Sequence, residues 1–372
     1  MLILVANLGS TSFKYKLLDM SQDGSEVARG THERIGQSGA AYKTHADVID
    51  TVLQELRDTP PDAIGFKAVH GGPITGAVRV DEKVIATMQQ FADIAPAHNP
   101  PYIAAMKAFA QKLPDVPQVA AFETAFHQTI PMSRQVYAIS REWTEQLGIR
   151  RYGFHGASHK FIATRVARLV GKERSRRIIS CHLGGSSSIC AIDSGKSVAT
   201  SMGLTPQTGL PQNNRVGHFD TFALQRLLKH GMSPDDVLKK LSKESGLLGI
   251  SGVSNDMRDI EAAASNGDAR AKLAIDAFVE SARHYVGAYL VVLGGCDVIA
   301  FTGGIGENAI QVREAICRNL IFAGIVLDPA KNQVRGKETK ISAVESNCEI
   351  WTIPTNEELI VARQTEAVLN AN

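Results

Sequence analysis

Residues 2–15 read LILVANLGSTSFKY, an apolar run that breaks at an Asn/Gly/Ser turn and resumes as a segment of high β propensity. This pattern predicts a buried strand, a tight turn of small hydroxyl residues and a second strand. The turn would offer backbone N–H groups, and Lys14 adds a positive charge beside it, a combination that suits phosphate oxygens. Taken alone, the stretch is better interpreted as an ordinary N-terminal hairpin.

The same order of residues returns in the second half of the chain. Residues 178–193 read IISCHLGGSSSICAID, with His182 in the place of Asn7. Residues 66–72 and 300–304, FKAVHGG and AFTGG, form a looser second pair, in which an apolar strand runs into Gly-Gly. The chain is therefore predicted to consist of two similar α/β halves that each present a glycine turn to a cleft, an architecture that resembles the actin and sugar-kinase superfamily.

The two pairs are separated by unequal lengths of chain, which predicts an insertion in the second copy. The helical-looking segment 220–265 is the candidate for it. The polar segment 21–39 is predicted to form loops and short strands. Apolar periodicity predicts helices at 44–56, 101–112, 220–230, 234–244, 268–292 and 357–369.

Composition limits the classes of function. A length of 372 residues allows two domains with separate cores, and a formal net charge of +2 with 6% aromatic residues argues against nucleic-acid binding. The five cysteines include no CxxC pair, which predicts buried free thiols in a reducing compartment. The sequence shows no secretory leader pattern and no run long enough to span a membrane, so we expect a cytoplasmic protein.

Two charged residues interrupt apolar strands. Glu123 ends a short buried strand, where a carboxylate is costly unless it is paired or functional, so it is a candidate site residue. Lys67 lies near the end of another strand, at the edge where open α/β sheets bind ligands. A lysine solvated at the sheet edge is an equally good interpretation of Lys67. His98, on a proline-rich turn before a helix, is better interpreted as a turn-stabilising or solvent-facing residue.

The densest polar chemistry lies in residues 150–159, RRYGFHGASH. Glycines on both sides of Phe154-His155 allow the backbone to present His155 tightly. The following Ala-Ser-His opens an amphipathic helix, whose N-terminus adds partial positive charge for an anion. A capped helix with a surface histidine is the weaker interpretation, because two glycines and two arginines accompany it.

The chain resembles the acetate kinase family, which also includes propionate and butyrate kinases. The matching motifs span the whole chain in the family's order, at residues 7–15, 69–72, 95–100, 122–127, 151–159, 200–206, 302–308 and 353–359. The resemblance implies a duplicated actin-like (ribonuclease H-like) α/β fold with two domains around a nucleotide cleft. It implies an N-terminal domain of residues 1–127 plus 360–372 and a nucleotide-binding domain of residues 128–359.

The resemblance also implies an activity. Members transfer the γ-phosphoryl group of ATP, with Mg²⁺, to acetate or propionate and so make an acyl phosphate, and they are homodimers. By matching motifs, His155 and Arg215 would stabilise the transition state, and Glu123 occupies the position of a catalytic aspartate. Lys67 occupies the position of a carboxylate-binding arginine, and His98 that of a further acceptor-site histidine.

The remaining roles follow in the same way. Asn7 and Glu357 would be the Mg²⁺ residues. The nucleotide and its phosphates would contact Lys14, His182, Leu183, Gly184, Gly185, Ser186, Asp256, Met257, Arg258, Gly304, Ile305, Gly306, Glu307 and Asn308.

The chain departs from the family pattern around the implied site. Lys67 replaces a planar bidentate donor by a point charge, and Glu123 is one methylene longer than aspartate. Gly185 stands where the family has Asn, Asn213 where it has Gly, and His218 where it has Asp.

These departures leave three alternatives. An acetate or propionate kinase with an altered pocket is favoured. An enzyme of the same fold that uses pyrophosphate or phosphate, or a larger acid, is the second. A non-catalytic nucleotide-binding protein is the third, and the transition-state cations Arg215 and His155 argue against it. Because an acceptor carboxylate is already ionised at neutral pH, Glu123 is expected to orient a cation or a metal-bound water rather than to remove a proton.

Overall fold

The computed structural model describes residues 1–9, 11–74, 76–96 and 98–371. They form an α/β protein with two six-stranded mixed sheets, as predicted. The chain divides into two compact units, each discontinuous in sequence. The first contains residues of 1–128, 156–158 and 356–371, and the second contains residues 129–155 and 159–355. The division into domains of residues 1–127 plus 360–372 and residues 128–359 stays a prediction.

The first sheet begins with the hairpin predicted from the N-terminal sequence. Its strands are β1 (Leu2–Gly9), β2 (Ser12–Asp19), β3 (Ser25–Glu33), β4 (Ala63–Ala68), β5 (Ala77–Arg79) and β6 (Gln118–Phe122). Their order is β3-β2-β1-β4-β6-β5, in which β1, β4 and β6 are parallel and the others antiparallel to their neighbours. The central strands are buried on both faces, which is why β1, β4 and β6 read as nearly continuous apolar runs.

The second sheet repeats this topology. Its strands are β7 (Arg177–His182), β8 (Ser188–Asp193), β9 (Lys196–Thr200), β10 (Val298–Thr302), β11 (Thr339–Lys340) and β12 (Glu349–Thr352). Their order is β11-β12-β10-β7-β8-β9, with β7, β10 and β12 parallel. Strand β7 thus takes the place of β1, and β10 that of β4. The duplication predicted from the repeated glycine turns is confirmed.

Fourteen α-helices occur in the described residues. They are α1 (His45–Glu55), α2 (Glu82–Gln90), α3 (Asn99–Lys112), α4 (Met132–Gln135), α5 (Arg141–Leu147), α6 (Gly156–Val170), α7 (Ala223–Lys229), α8 (Pro234–Lys243), α9 (Gly246–Ser251), α10 (Met257–Ser265), α11 (Ala269–Leu293), α12 (Gly303–Asn308), α13 (Ile310–Cys317) and α14 (Glu357–Asn370). The predicted insertion, residues 220–265, contains α7 to α10. At the corresponding place in the first half, between β3 and β4, the structure describes helix α1. Helix α1 begins at a capping box, in which Thr44 and Asp47 satisfy each other's backbone N–H groups.

Helix α14 belongs to the first unit, as the resemblance implied. It packs on β1, β2, β4, β5 and β6. Gly65 in β4 permits this close approach, because a Cβ atom there would lie 2.4 Å from the Thr365 hydroxyl oxygen. The last helix is therefore a layer of the first unit's core.

Each unit has its own apolar core. All five cysteines are free and four are buried, which agrees with the predicted free thiols. Within the described residues, no helix has the length and apolar character that a membrane span requires.

Candidate active site

Three charged residues meet at one edge of the first sheet. Lys67 lies next to the last residue of β4, Glu123 follows the last residue of the neighbouring strand β6, and Glu357 begins α14. The Lys67 Nζ atom forms an ion pair with Glu357 and lies 3.8 Å from Glu123 Oε1. The structure thus brings together three predicted site residues from distant parts of the sequence.

Burial and charge oppose each other in this cluster. The pKa of Glu123 is raised to about 7, chiefly by burial. Lys67 and the N–H groups of Gly156 and Ala157 oppose this shift, and the charge of Glu357 adds to it. Burial alone would lower the pKa of Lys67, but the charges of Glu357 and Glu123 raise it above its usual range. Lys67 therefore stays charged near neutrality, whereas Glu123 can change its ionisation there.

Asn7 and Lys14 extend the same sheet edge. They lie opposite each other across the antiparallel pair of β1 and β2, so their side chains emerge from neighbouring positions. Asn7 also follows the residue of β1 that pairs with Phe66, which places it beside Lys67 in register. Amide and carboxylate oxygens are the ligands that Mg²⁺ prefers, so Asn7 with Glu357 fits the implied metal. Ser10, in the predicted phosphate turn, lies outside the described residues.

His98 directly precedes α3, and its side chain makes no capping hydrogen bond to that helix. The next residue, Asn99, is fully buried and donates from Nδ2 to the carbonyl oxygens of His70 at 3.0 Å and Met88 at 2.9 Å. Asn99 thus ties the start of α3 to the loop after β4. The role of His98 in acceptor binding stays a prediction.

The second unit contains a cluster of histidines. His155 precedes α6 with a φ of 57°, a left-handed conformation that is strained for a residue with a side chain. Its ring stacks on that of His182, with 4.1 Å between centroids, and its Nδ1 lies 2.9 Å from the Ser188 hydroxyl. Two predicted site histidines are therefore in contact, and the polar loop before α6 presents one of them.

Arg215 is a partly buried cation with neutral partners. Its Nη1 donates to Ser186 Oγ at 3.3 Å, Pro206 O at 3.4 Å and Gln212 Oε1 at 3.4 Å. In the part of the chain that the structure describes, Arg215 forms no ion pair, and burial lowers its pKa. An incompletely compensated guanidinium beside the serines of a glycine loop suits an anionic ligand.

A cavity of about 510 Å³ opens beside this loop. Its walls include eight of the predicted nucleotide residues. The complete lining is Gly184, Gly185, Asn213, Asp256, Met257, Arg258, Glu261, Gly304, Ile305, Asn308, Ala309 and Arg335. Leu183 and Gly306 lie behind the wall, because the Leu183 carbonyl accepts the N–H groups of Ile305 and Gly306. The structure thus gathers three separate motifs around one cavity.

The other predicted nucleotide residues lie outside this lining. Ser186 contacts Arg215, His182 stacks on His155, and Lys14 belongs to the first unit. The Glu307 Oε1 atom accepts the N–H group of Gly303 at 2.9 Å. Residues 304–308 form most of helix α12, in which the N–H groups of Ile305 and Gly306 donate to the Leu183 carbonyl.

Two of the departures from the family pattern are neighbours on the cavity wall. A Cβ atom at Gly185 would lie 3.3 Å from Asn213 Nδ2, and the Asn213 N–H group donates to the Gly185 carbonyl at 3.3 Å. The side-chain amide that Gly185 lacks is therefore supplied at the same wall by Asn213.

Glu261 and Arg335 also line the cavity and were not predicted from the sequence. Glu261 lies one helical turn after Met257 on α10, so the helical period could have predicted it. Burial raises the pKa of Glu261 and Arg335 lowers it. Arg335 also donates to the Asn308 carbonyl at the end of α12. Nothing in the sequence around Arg335 forms a recognisable pattern, so only the structure reveals it.

Buried Arg313 supports the same wall from behind. It is fully buried and donates from Nη1 to the Gly306 carbonyl at 3.0 Å, and from Nη2 to the carbonyls of Asn332 and Val334 at 2.9 and 2.8 Å. These bonds hold α12 and the segment that leads to Arg335 in one arrangement.

Comparison with known proteins agrees with this arrangement. Residues 41–363 match the model of the acetokinase family. The acetate kinases of Natranaerobius thermophilus and Dictyoglomus thermophilum are 42% and 44% identical to the chain, over 99% of it and 100% and 99% of their own lengths. The solved structures of Porphyromonas gingivalis acetate kinase and of a propionate kinase from Francisella tularensis have TM-scores of 0.92, at 37% and 35% identity, with 99% of each chain covered. With the duplicated fold, the glycine-loop cavity and these full-length similarities, the chain belongs to the acetokinase family.

Proposed function

We propose that this protein is an acetate kinase that transfers the γ-phosphoryl group of ATP to acetate or propionate and forms an acyl phosphate and ADP. The observation that carries the proposal is the similarity to acetate kinases along the whole chain. The cavity between the glycine loop, α10 and α12 would hold the nucleotide, since its volume and its helix-terminal N–H groups suit a phosphorylated ligand.

Phosphoryl transfer requires positioning and charge stabilisation more than covalent work by the protein. We assign charge stabilisation on the transferring group to Arg215 and His155, and metal binding to Asn7 and Glu357. Bound Mg²⁺ would supply positive charge to the phosphate oxygens. Lys67 would attract the acceptor carboxylate, and Glu123 would orient the Lys67 ammonium rather than act as a base.

We also propose that the protein is a cytoplasmic homodimer. Free thiols suit a reducing compartment. Two large apolar side chains of the long helix α11, Leu273 and Val291, are 58% and 83% exposed, which supports an interface on that helix.

The activity is tested directly by an assay for acyl phosphate. The purified protein, with Mg²⁺ and either ATP or pyrophosphate, is incubated with acetate, propionate and longer acids, and product is trapped with hydroxylamine. We expect product with ATP and the highest kcat/KM for acetate or propionate. Turnover with pyrophosphate and none with ATP would contradict the assigned donor, and absence of product with every pair would contradict the function.

Nucleotide binding gives a prediction that does not depend on turnover. Because Asn213 supplies an amide beside Gly185, we expect Mg·ADP to bind measurably in isothermal titration calorimetry. Arg335→Ala removes a positive charge from the cavity wall and its bond to Asn308, so it should weaken binding about tenfold, the effect of one charge-assisted hydrogen bond.

Arg174→Ala is the matched control, because Arg174 is an exposed arginine that pairs with Glu349 and lies outside the cavity lining. Its affinity for Mg·ADP should equal that of the wild type. Equal affinities for the wild type and Arg335→Ala would remove Arg335 from the nucleotide site.

A further inference from the structure

A chain of hydrogen bonds in the second unit leads from the sheet interior to His155. Ser180 Oγ lies 2.8 Å from His159 Nδ1, His159 Nε2 lies 2.8 Å from Ser188 Oγ, and the same oxygen lies 2.9 Å from His155 Nδ1. Ser180, His159 and Ser188 are fully buried, whereas His155 is partly exposed. The proposed catalytic machinery uses only the last member of this chain.

The direction of the chain follows from counting hydrogens. A hydroxyl group has one hydrogen, so Ser188 can donate to only one of its two histidine partners, and when it donates to one it accepts from the other. A neutral histidine likewise donates from one ring nitrogen and accepts at the other. The proton positions on His159 and His155 are therefore linked, and they depend on whether the Ser180 hydroxyl donates to His159 or accepts from it.

The surroundings of Ser180 determine the direction of its hydrogen bond to His159. Among the described residues, His159 is the only hydrogen-bond partner of the Ser180 hydroxyl. If His159 donated to Ser180, the buried Ser180 hydrogen would have no acceptor, an arrangement that costs free energy. Ser180 therefore donates to His159 Nδ1, His159 donates from Nε2 to Ser188, and Ser188 donates to His155 Nδ1.

We propose that the chain Ser180–His159–Ser188 positions His155 as the neutral tautomer with its proton on Nε2. Protonation of Nδ1 on His155 would either reverse all three hydrogen bonds and leave the Ser180 hydrogen without an acceptor, or make Ser188 accept from both histidines and leave its own buried hydrogen without one. His182 stacks on the His155 ring and so restricts the plane in which that Nε2–H group points. Resting on the function proposed above, this N–H group is the donor that His155 offers to the transferring phosphoryl group.

The tautomer can be observed without any activity. We expect the nitrogen NMR spectrum of ¹⁵N-histidine-labelled protein at neutral pH to show His155 and His159 with unprotonated Nδ1 and protonated Nε2. Among the signals of the eleven histidines, those of His155 and His159 are identified by their loss in His155→Gln and His159→Gln. A proton on Nδ1 of His155 in the wild type would overturn the proposal.

Kinetics test whether the chain serves turnover. Ser180→Ala removes the hydroxyl that orients the chain and touches neither His155 nor Ser188, so we expect a mixture of His155 tautomers. Since complete loss of one transition-state donor costs 10²–10³-fold in rate, partial loss should lower kcat by about tenfold, with the KM values for ATP and acetate changed less than about twofold. Ser180→Thr keeps the hydroxyl and should restore both kcat and the wild-type spectrum.

Ser197→Ala is the matched control, because Ser197 is an equally buried serine in the same sheet that contacts Cys190. It should leave the spectrum of His155 and kcat unchanged. Unchanged kcat and an unchanged His155 signal in Ser180→Ala would contradict the proposal. Correct tautomers in a wild-type protein that makes no acyl phosphate would instead contradict only the proposed function.

Discussion

Arg215→Ala is expected to lower kcat for acyl phosphate formation by about 10³-fold or more, the effect of an arginine that stabilises charge on a transferring phosphoryl group. The structure gives the physical reason, because Arg215 is a partly buried cation whose hydrogen-bond partners, among the described residues, are neutral oxygens. Its positive charge is therefore available to a phosphoryl group. Arg215→Lys should not restore activity, since an ammonium group cannot reproduce the planar fork of a guanidinium.

Arg283→Ala serves as the control for this loss. Arg283 is likewise partly buried and donates to the backbone carbonyls of Ala315 and Ile316, outside the cavity lining. Its replacement should leave kcat within about threefold, as expected of a residue outside the reaction site. An Arg215→Ala enzyme with wild-type turnover and an intact circular dichroism spectrum would remove Arg215 from catalysis.

Lys67→Met is expected to destabilise the protein by about 3 kcal/mol at alkaline pH, the cost of leaving buried carboxylates without their cation. The pKa of Glu123, about 7 in the folded protein, lies above the ordinary value of 4.5. The folded protein therefore binds the Glu123 proton more tightly than the unfolded chain does. The resulting stabilisation of the folded state is fully present below pH 4.5 and is lost as the pH rises through about 7. Without Lys67, that pKa rises further, so the deficit should be large near pH 9 and small near pH 5.

Urea unfolding of metal-free protein at the two pH values measures this difference. Lys112→Met is the control, because the Lys112–Asp50 pair of the same unit is exposed and should contribute less than about 1 kcal/mol at either pH. The double variant Lys67→Met/Glu123→Gln should recover part of the loss. A single variant as stable as the wild type at pH 9 would show that Lys67 does not compensate the buried carboxylates.

The same Lys67→Met variant should raise KM for acetate by about tenfold with little change for ATP, the pattern of lost acceptor binding. A larger effect on the nucleotide would contradict the assignment of Lys67 to the acceptor.

Much of the fold could be predicted because its signals are local. The glycine turns recur in order, and their repetition predicted the duplication that the two sheets confirm. Lys67 and Glu123 were detectable because charges inside apolar strands violate the pattern that burial imposes. The family followed from motifs spread over the whole chain, and the full-length similarities confirm it.

The features that escaped prediction depend on contacts between distant residues. Strand β3 was missed as a nine-residue strand because it is an edge strand, largely exposed, and so needs no apolar alternation. Gly185 and Asn213 are in contact, so Asn213 supplies at the cavity wall the side-chain amide that Gly185 lacks. Neither position reveals this alone. Arg335 and the link from Ser180 to His155 require the fold itself.

The position of α14 has a consequence for synthesis of the protein. The sheet of the first unit is made early, but the helix that packs over β1 and β4 is translated only after residues 129–355. Until then Gly65 and its apolar neighbours lack their cover, so the first unit cannot complete its core while the ribosome makes the second. We therefore expect the second unit to reach its native packing first on the ribosome, and the unit that begins the chain to finish last.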